Sequence, residues 1–296
     1  METRAITEGD FSVCAGIFDT SYAELHRANG TYEDGPAALS WLEPILRHFA
    51  RTDPSGGRIA IRNGEPIAFA SSIQRDRYWF LSFLFVLSEA QGWGVGKHLL
   101  DELLPRPKRD GDTMATVVES FQPVSTGLYA SVGIAPSAIK YWLSGLSRPE
   151  ALPTLPADVH KADMTPADLA DMSGLDRGIL GFTRAADHGW WMDADTTGCV
   201  YRRNGDLLAY AYVDDGYLGP ALAIDEDWLC LVVADIVRDA KDPAAMAVNL
   251  CGNAGPLFQM LVRAGARIDD ARYRFIYCSN SGPLPASYIH HADWLP

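Results

Sequence analysis

Gln91-Gly92-Trp93-Gly94-Val95-Gly96 lies between the apolar run LSFLFVL and the amphipathic run KHLLDELL. Glycines let a backbone come close to an anion, the unpaired N–H groups of a helix's first turn point at it, and the helix dipole favours its negative charge. Lys97 adds a positive charge beside the loop. The expected chemistry is phosphate binding. A nucleotide P-loop would close on Gly-Lys-Ser/Thr, which Gly96-Lys97-His98 does not match. A dinucleotide fingerprint would follow the first strand of a βαβ unit, with an acidic residue about 20 positions on, whereas three strands precede this loop.

Those strands begin with the run GGRIAIRNGEPIAFASS, two short strands joined at Asn63-Gly64, a pair suited to the positive φ angles of a type I′ hairpin. Residues 198–213, GCVYRRNGDLLAYAYV, repeat the design, with Asn204 standing 141 positions after Asn63. Each hairpin is followed by a β-rich run, 78–87 and 217–224, then by a helix-like segment near 94–104 and 226–240. Each half next offers a strand, near 114–119 and 245–250, and a helix that stops at a glycine, Gly133 or Gly265. Between the halves SRPEALPTLPADV has three prolines and little hydrophobic periodicity, as a linker would. The expected organisation is therefore α/β (mixed α+β) in two related domains, residues 1–146 and 160–296, joined by 147–159, each with a central sheet and flanking helices.

The chain of 296 residues suits two domains. Its most apolar stretch, Trp79 to Leu87, is too short to cross a bilayer, and no basic start precedes an apolar run, so a cytoplasmic protein is expected. The five cysteines are scattered without metal-ligand spacing, which predicts buried free thiols and no metal site. A formal charge of −13 argues against nucleic acid and anionic membranes as partners and mildly favours a cationic substrate.

At VLSEAQGWGVGKHLLDELL the residues resemble the GNAT acetyltransferases, whose core pattern is Gln/Arg-x-x-Gly-x-Gly/Ala, here Gln91, Gly94 and Gly96. The resemblance implies acetyl-CoA as co-substrate, its pyrophosphate held at Gln91, Gly92, Trp93, Gly94, Val95, Gly96 and Lys97. It also implies a mostly antiparallel sheet whose splayed fourth strand pairs its backbone at Leu84, Phe85 and Val86 with the pantetheine arm. QPVSTGLYASVGI is similar to the family's helix ending Leu-Tyr-x-x-x-Gly-Phe, with Ile134 in place of the phenylalanine. Tyr129 there falls on the tyrosine that protonates the departing thiolate, a task suited to a phenol that is neutral near pH 7. Many members carry a carboxylate base on strand four, but FLSFLFVL offers only Ser82. Glu119, at the next strand's end, is the base candidate, with a water chain as its rival.

The second half has no Gln-x-x-Gly-x-Gly. Asp225, Glu226 and Asp227 stand at the helix start, where they would repel a pyrophosphate and pair with the helix dipole themselves. Aligned on the terminal glycines, Leu261 replaces Tyr129. LDRGILGFTRAAD and VNLCGNAGPLFQMLVRAGA resemble the degenerate C-terminal domain of tandem GNAT proteins. Trp190-Trp191 is expected to be packing, and His290-His291 to lie at the surface. The implied activity is acetyl transfer to a primary amine of a small molecule or peptide. A non-catalytic acyl-CoA-binding or regulatory protein is the alternative, as is transfer to a hydroxyl or thiol. The sequence leaves the acceptor and the oligomeric state open, a homodimer included.

Overall fold

The computed structural model describes residues 1–32, 37–105, 109–194, 196–268, 274–290 and 293–295. The chain divides into two compact units, Met1–Thr116 with Pro123–Val132 and Val117–Gln122 with Gly133–Pro296.

In the first unit, β1 (Glu2–Ala5), β2 (Gly57–Arg62), β3 (Glu65–Arg75) and β4 (Tyr78–Val86) pair antiparallel in sequence order, and β5 (Thr113–Glu119) joins β4 in parallel. Asn63 and Gly64 take φ of 52° and 86°, the left-handed pair that the hairpin turn requires. Alternation along β4 sends its side chains to opposite faces. Phe85 meets Phe18 of α1 (Phe11–Ala28) at 4.6 Å between ring centroids, and Phe83 meets Trp41 of α2 (Leu39–Thr52). The other face carries α3 (Val95–Leu103), whose buried Val95, Leu99, Leu100 and Leu103 form one apolar stripe, and α4 (Pro123–Ala130) follows β5 in sequence.

The second unit orders its strands β13-β6-β11-β10-β9-β8-β7. These are β6 (Ala135–Ser144), β7 (Val159–Asp163), β8 (Thr197–Arg203), β9 (Asp206–Asp214), β10 (Tyr217–Ala223), β11 (Ala247–Cys251) and β13 (Arg274–Ser279). Only β10 and β11 run parallel among them. The two-residue β12 (Arg267–Ile268) extends β13's edge of β6, and β14 (Tyr288–Ile289) pairs antiparallel with β10. The helices are α5 (Leu169–Ile179), α6 (Ala185–Asp193), α7 (Glu226–Asp239) and α8 (Gly255–Arg263). Asn204 and Gly205 repeat the hairpin turn with φ of 53° and 93°.

Strand β6, which precedes the proline-rich segment, is thus held by strands that follow it, and its Leu143 lies in the second unit's core with Leu152 and Val159 of the segment 147–159. No helix among the described residues is long and apolar enough to cross a membrane. All five cysteines are free thiols.

Candidate acyl-CoA site

Strand β4 parts from β5 at a definite place. Their pairing ends at Leu81 and Thr116, and the Thr116 hydroxyl donates to the Leu81 carbonyl at 2.9 Å. On the other edge Leu81 faces Ser72 while Phe83 faces Ser71, so Ser82 is an extra, bulged residue. A bulge bends its own strand and raises the local twist, which here turns β4 away just where its partner stops. The Leu87 N–H donates to the Ile67 carbonyl at 3.0 Å, so alternation directs the Phe85 backbone toward β3 and the Leu84 and Val86 backbones outward, past the end of the β5 pairing. The Ser82 hydroxyl is buried without a hydrogen-bond partner.

The glycine loop follows immediately. Gly92 and Gly94 take left-handed φ of 79° and 78°, and a Cβ on either would meet nothing within 4 Å. Gly94 is the N-cap of α3 and supplies no side-chain cap; its carbonyl accepts from His98 at 2.9 Å. The N–H groups of Val95, Gly96 and Lys97 therefore have no acceptor within the helix. A Cβ on Gly96 would stand 3.6 Å from Val86 Cγ2, 3.6 Å from Leu128 Cδ2 and 3.9 Å from Leu84 Cδ2, so this open helix turn packs against the free end of β4 and against α4. Gln91 ties loop to strand: its Nε2 donates to the outward Val86 carbonyl at 2.9 Å.

Two loop side chains point elsewhere. Trp93 is 58 % exposed and lies under the Arg62 guanidinium, 3.6 Å from its ring centroid, a cation–π contact. Lys97 bonds Asp101 one turn along α3 at 2.9 Å. What the loop offers an anion is backbone, not side-chain charge.

Tyr129 lies on α4, 5 % exposed, next to the Leu128 that borders Gly96. Glu119 ends β5 in the segment Val117–Gln122, which packs with the second unit. The first unit therefore brings together Leu84, Val86, Gln91, Gly94, Gly96 and α4, and Glu119 belongs to the other unit.

In the second unit the corresponding helix start is closed. Asp225 caps α7, accepting the Trp228 N–H at 2.8 Å, and Leu261 is fully buried in the core. That unit also holds a buried polar cluster that the sequence reading did not isolate. Asp176 receives Arg184 at 3.1 Å and His188 Nε2 at 3.1 Å, and the Tyr210 hydroxyl donates to it. Burial pushes the Asp176 carboxyl up, but Arg184 and His188 outweigh it and hold it below the ordinary carboxylate range. Burial keeps His188 below its usual value despite Asp176, so a neutral ring donates through Nε2 and takes the Tyr212 hydroxyl at Nδ1, 3.0 Å away. One signal was present: Tyr210-Ala211-Tyr212 places two phenols on one strand face where the first hairpin has Phe69 and Ser71.

His290 departs from the surface location expected for it. It is 1 % exposed, its ring edge-on to Tyr277 and tilted against Tyr288, because β14 carries it into the core; His291 lies outside the described residues. Trp191 is fully buried, and Trp190 meets Trp294 edge-on, both packing contacts.

Residues 21–134, from within α1 to just past α4, match the model of the acetyltransferase (GNAT) family. This part of the chain is similar to the GNAT acetyltransferases. The activity of that family is acyl transfer, with acetyl-CoA as its general donor. Solved structures extend the fold to the rest. A Pyrococcus horikoshii protein described as an acetyltransferase is 14 % identical over all of this chain and 95 % of its own, with a TM-score of 0.73. A GCN5-related N-acetyltransferase from Sphaerobacter thermophilus is 15 % identical over 97 % of this chain and 98 % of its own, with a TM-score of 0.58. A tandem GNAT protein from the clavulanic acid biosynthesis pathway is 15 % identical over 94 % and 97 %, with a TM-score of 0.55. No curated protein matches the sequence significantly.

Proposed function

We propose that the chain is an N-acetyltransferase that moves an acetyl group from acetyl-CoA to a primary amine of a small molecule or peptide by direct attack. In this reading residues 1–146 are the catalytic copy of the repeat, 160–296 a degenerate copy that completes the structure, and 147–159 their connection. The observation that carries it is the uncapped first turn of α3 packed against the outward edge of β4, since a diphosphate and an amide-bearing arm need those two features side by side. Gly94 gives the loop its left-handed turn, the N–H groups of Val95 to Lys97 receive the pyrophosphate, and the Leu84 and Val86 backbones receive the pantetheine. The outward N–H groups also stabilise the oxygen on which negative charge develops as the amine attacks. Tyr129 protonates the departing thiolate, and Glu119 is the candidate acceptor of the amine's proton.

Gly94→Asp tests the site. It sets a negative charge on the loop that would receive the phosphates, and repulsion of a few kcal/mol between like charges at an effective dielectric near 20 should weaken binding by roughly 100-fold. Gly94→Asn, which tolerates the left-handed turn without the charge, is the control. Calorimetry with acetyl-CoA should find near-normal affinity for the asparagine variant only; equal affinity in folded Gly94→Asp would remove the assignment. Screening amines for release of free CoA then identifies the acceptor class. Among active amines, Glu119→Gln should lower turnover most below the amine's own pKa if Glu119 is the base, and leave it unchanged if water is.

A further inference from the structure

The two halves can be superposed by register alone. Asn63 and Asn204 open equivalent hairpins 141 positions apart, and the same offset relates Ala68, Phe69 and Ala70 to Ala209, Tyr210 and Ala211. On the neighbouring strands Val86, Phe85 and Leu84 pair with the first set, and Ala223, Leu222 and Ala221 with the second. The Ile224 N–H donates to the Leu208 carbonyl as Leu87 does to Ile67, so Ala221 and Ala223 turn their backbones outward as Leu84 and Val86 do. The parting of the strands recurs too. Strand β10 pairs with β11 only at Tyr217 and Leu218, and its register shifts between Leu218 and Ala221.

The second unit therefore has the same gap, and there it is filled. Ile289 pairs with Ala221 and Tyr288 with Leu222, and the Ala223 N–H donates to the Ser287 carbonyl at 3.1 Å. Gly219, in the shifted stretch, is shaped around this occupant, since a Cβ there would stand 2.2 Å from the His290 carbonyl oxygen. Polar contacts hold the segment along its length. Asn253 donates to the Leu284 carbonyl at 2.8 Å, Arg184 to the Tyr288 hydroxyl, and Tyr217 to the His290 carbonyl at 3.1 Å. Beyond it, buried Lys140 pairs with Asp293.

We infer that residues 284–290 are a resident substitute for an acyl-CoA arm. They pair in the second unit with the backbone positions equivalent to Leu84–Val86, so the chain has one acyl-CoA site and not two. Outward N–H and C=O groups on a strand edge need partners wherever water is excluded. In the first unit the co-substrate meets that need, and in the second the chain does so itself by adding a strand. The comparison with the first unit rests on the function proposed above, whereas residence of the segment in the second does not.

Hydrogen exchange on the full chain, with and without acetyl-CoA, tests the inference together with binding stoichiometry. Amides of 221–223 and 284–290 should be protected without ligand and unchanged by it, those of 84–97 should gain protection, and one equivalent should bind. Rapid exchange of 284–290 in the free chain, new protection at 221–223 with ligand, or two equivalents bound would each overturn it. If 84–97 gain nothing, the first-unit reading fails while protection at 284–290 still stands as its own result. Gly219→Val sharpens the test: in a folded variant, exchange at 284–290 should rise at least about tenfold, as expected for loss of local stability, and an unchanged rate would refute residence. Should that variant not fold, the wild-type exchange pattern decides.

Discussion

Helix α3 starts at Gly94, which has no side chain with which to close its first turn, and helix α7 starts at Asp225, whose carboxylate takes the Trp228 N–H. A helix start must satisfy its free N–H groups somehow, and the identity of one residue decides whether a side chain or a ligand does it. The strands that lead into these helices differ in the same sense: the outward edge of β4 lies past its pairing with β5, and that of β10 is taken by β14. On the reading proposed above, the second unit's equivalent of the site is filled by the chain itself and has not decayed.

The comparison breaks most visibly at Tyr129. Tyr129→Phe keeps the ring that α4 buries, so acetyl-CoA affinity should survive while kcat falls by about 10²- to 10⁴-fold, the usual worth of a positioned acid. The measurement is steady-state turnover on an active amine beside calorimetric binding. A kcat within about twofold of wild type, with chemistry rate-limiting, would assign the proton to another donor.

If the second unit is stabilised by its own polar groups where the first relies on a ligand, removing one of them should cost stability and spare binding. Arg184→Met leaves Asp176 buried and short of its cation, a loss of about 3–5 kcal/mol. Denaturant unfolding should show it, with Kd for acetyl-CoA unchanged; a variant as stable as wild type would mean the cluster adds no net stability.

Acid should act on the second unit first. Burial holds His188 and His290 below the usual histidine value, and the charges of Lys140 and Arg184 press His290 lower. The unfolded chain binds protons near pH 6.5 that these native rings do not, so their contribution is intact above about pH 6.5 and declines below it. The slope is at most about 1.4 kcal/mol per pH unit for each ring. Unfolding midpoints measured from pH 8 to 5 should be level and then fall, and His290→Asn should flatten the fall. A midpoint that does not change between pH 6.5 and 5 would contradict neutral burial.

The smallest effect concerns the cap itself. Asp225→Ala should cost about 1 kcal/mol of stability, and acetyl-CoA should still bind in one equivalent. A second equivalent would show that the carboxylate alone had kept the second unit closed.

Local chemistry made much of this legible in the sequence. Asn-Gly pairs can serve few purposes, and both hairpins stand where they mark them, while the glycine loop lies between β4 and α3 as its flanking periodicity indicates. The tail was illegible for the opposite reason. Ser287-Tyr288-Ile289-His290 has no distinguishing pattern, and its burial depends on a gap created by β10 and β11 far upstream, which is why His290 reads as a surface residue. Asp176, Arg184 and His188 were missed because charged residues are ordinarily exposed, and the phenols that complete their bonding lie on other elements. For Trp93 and Lys97 the motif indicated the loop and not the direction of the side chains, which packing against Arg62 and Asp101 decides.

Strand β6 leaves the ribosome well before either of its neighbours exists. Lys140 must wait for Cys251 on one side and Phe275 on the other, and at about 5–20 residues per second that interval is on the order of ten seconds. During it, a half-apolar strand with two unpaired edges is exposed to other nascent chains. Synthesis therefore passes through a vulnerable interval that ends only when the last quarter of the polypeptide has emerged. A message cut short between β6 and β13 would yield a chain that retains its glycine loop and is prone to aggregate, so chaperone demand and expression temperature should matter more for this protein than its size suggests.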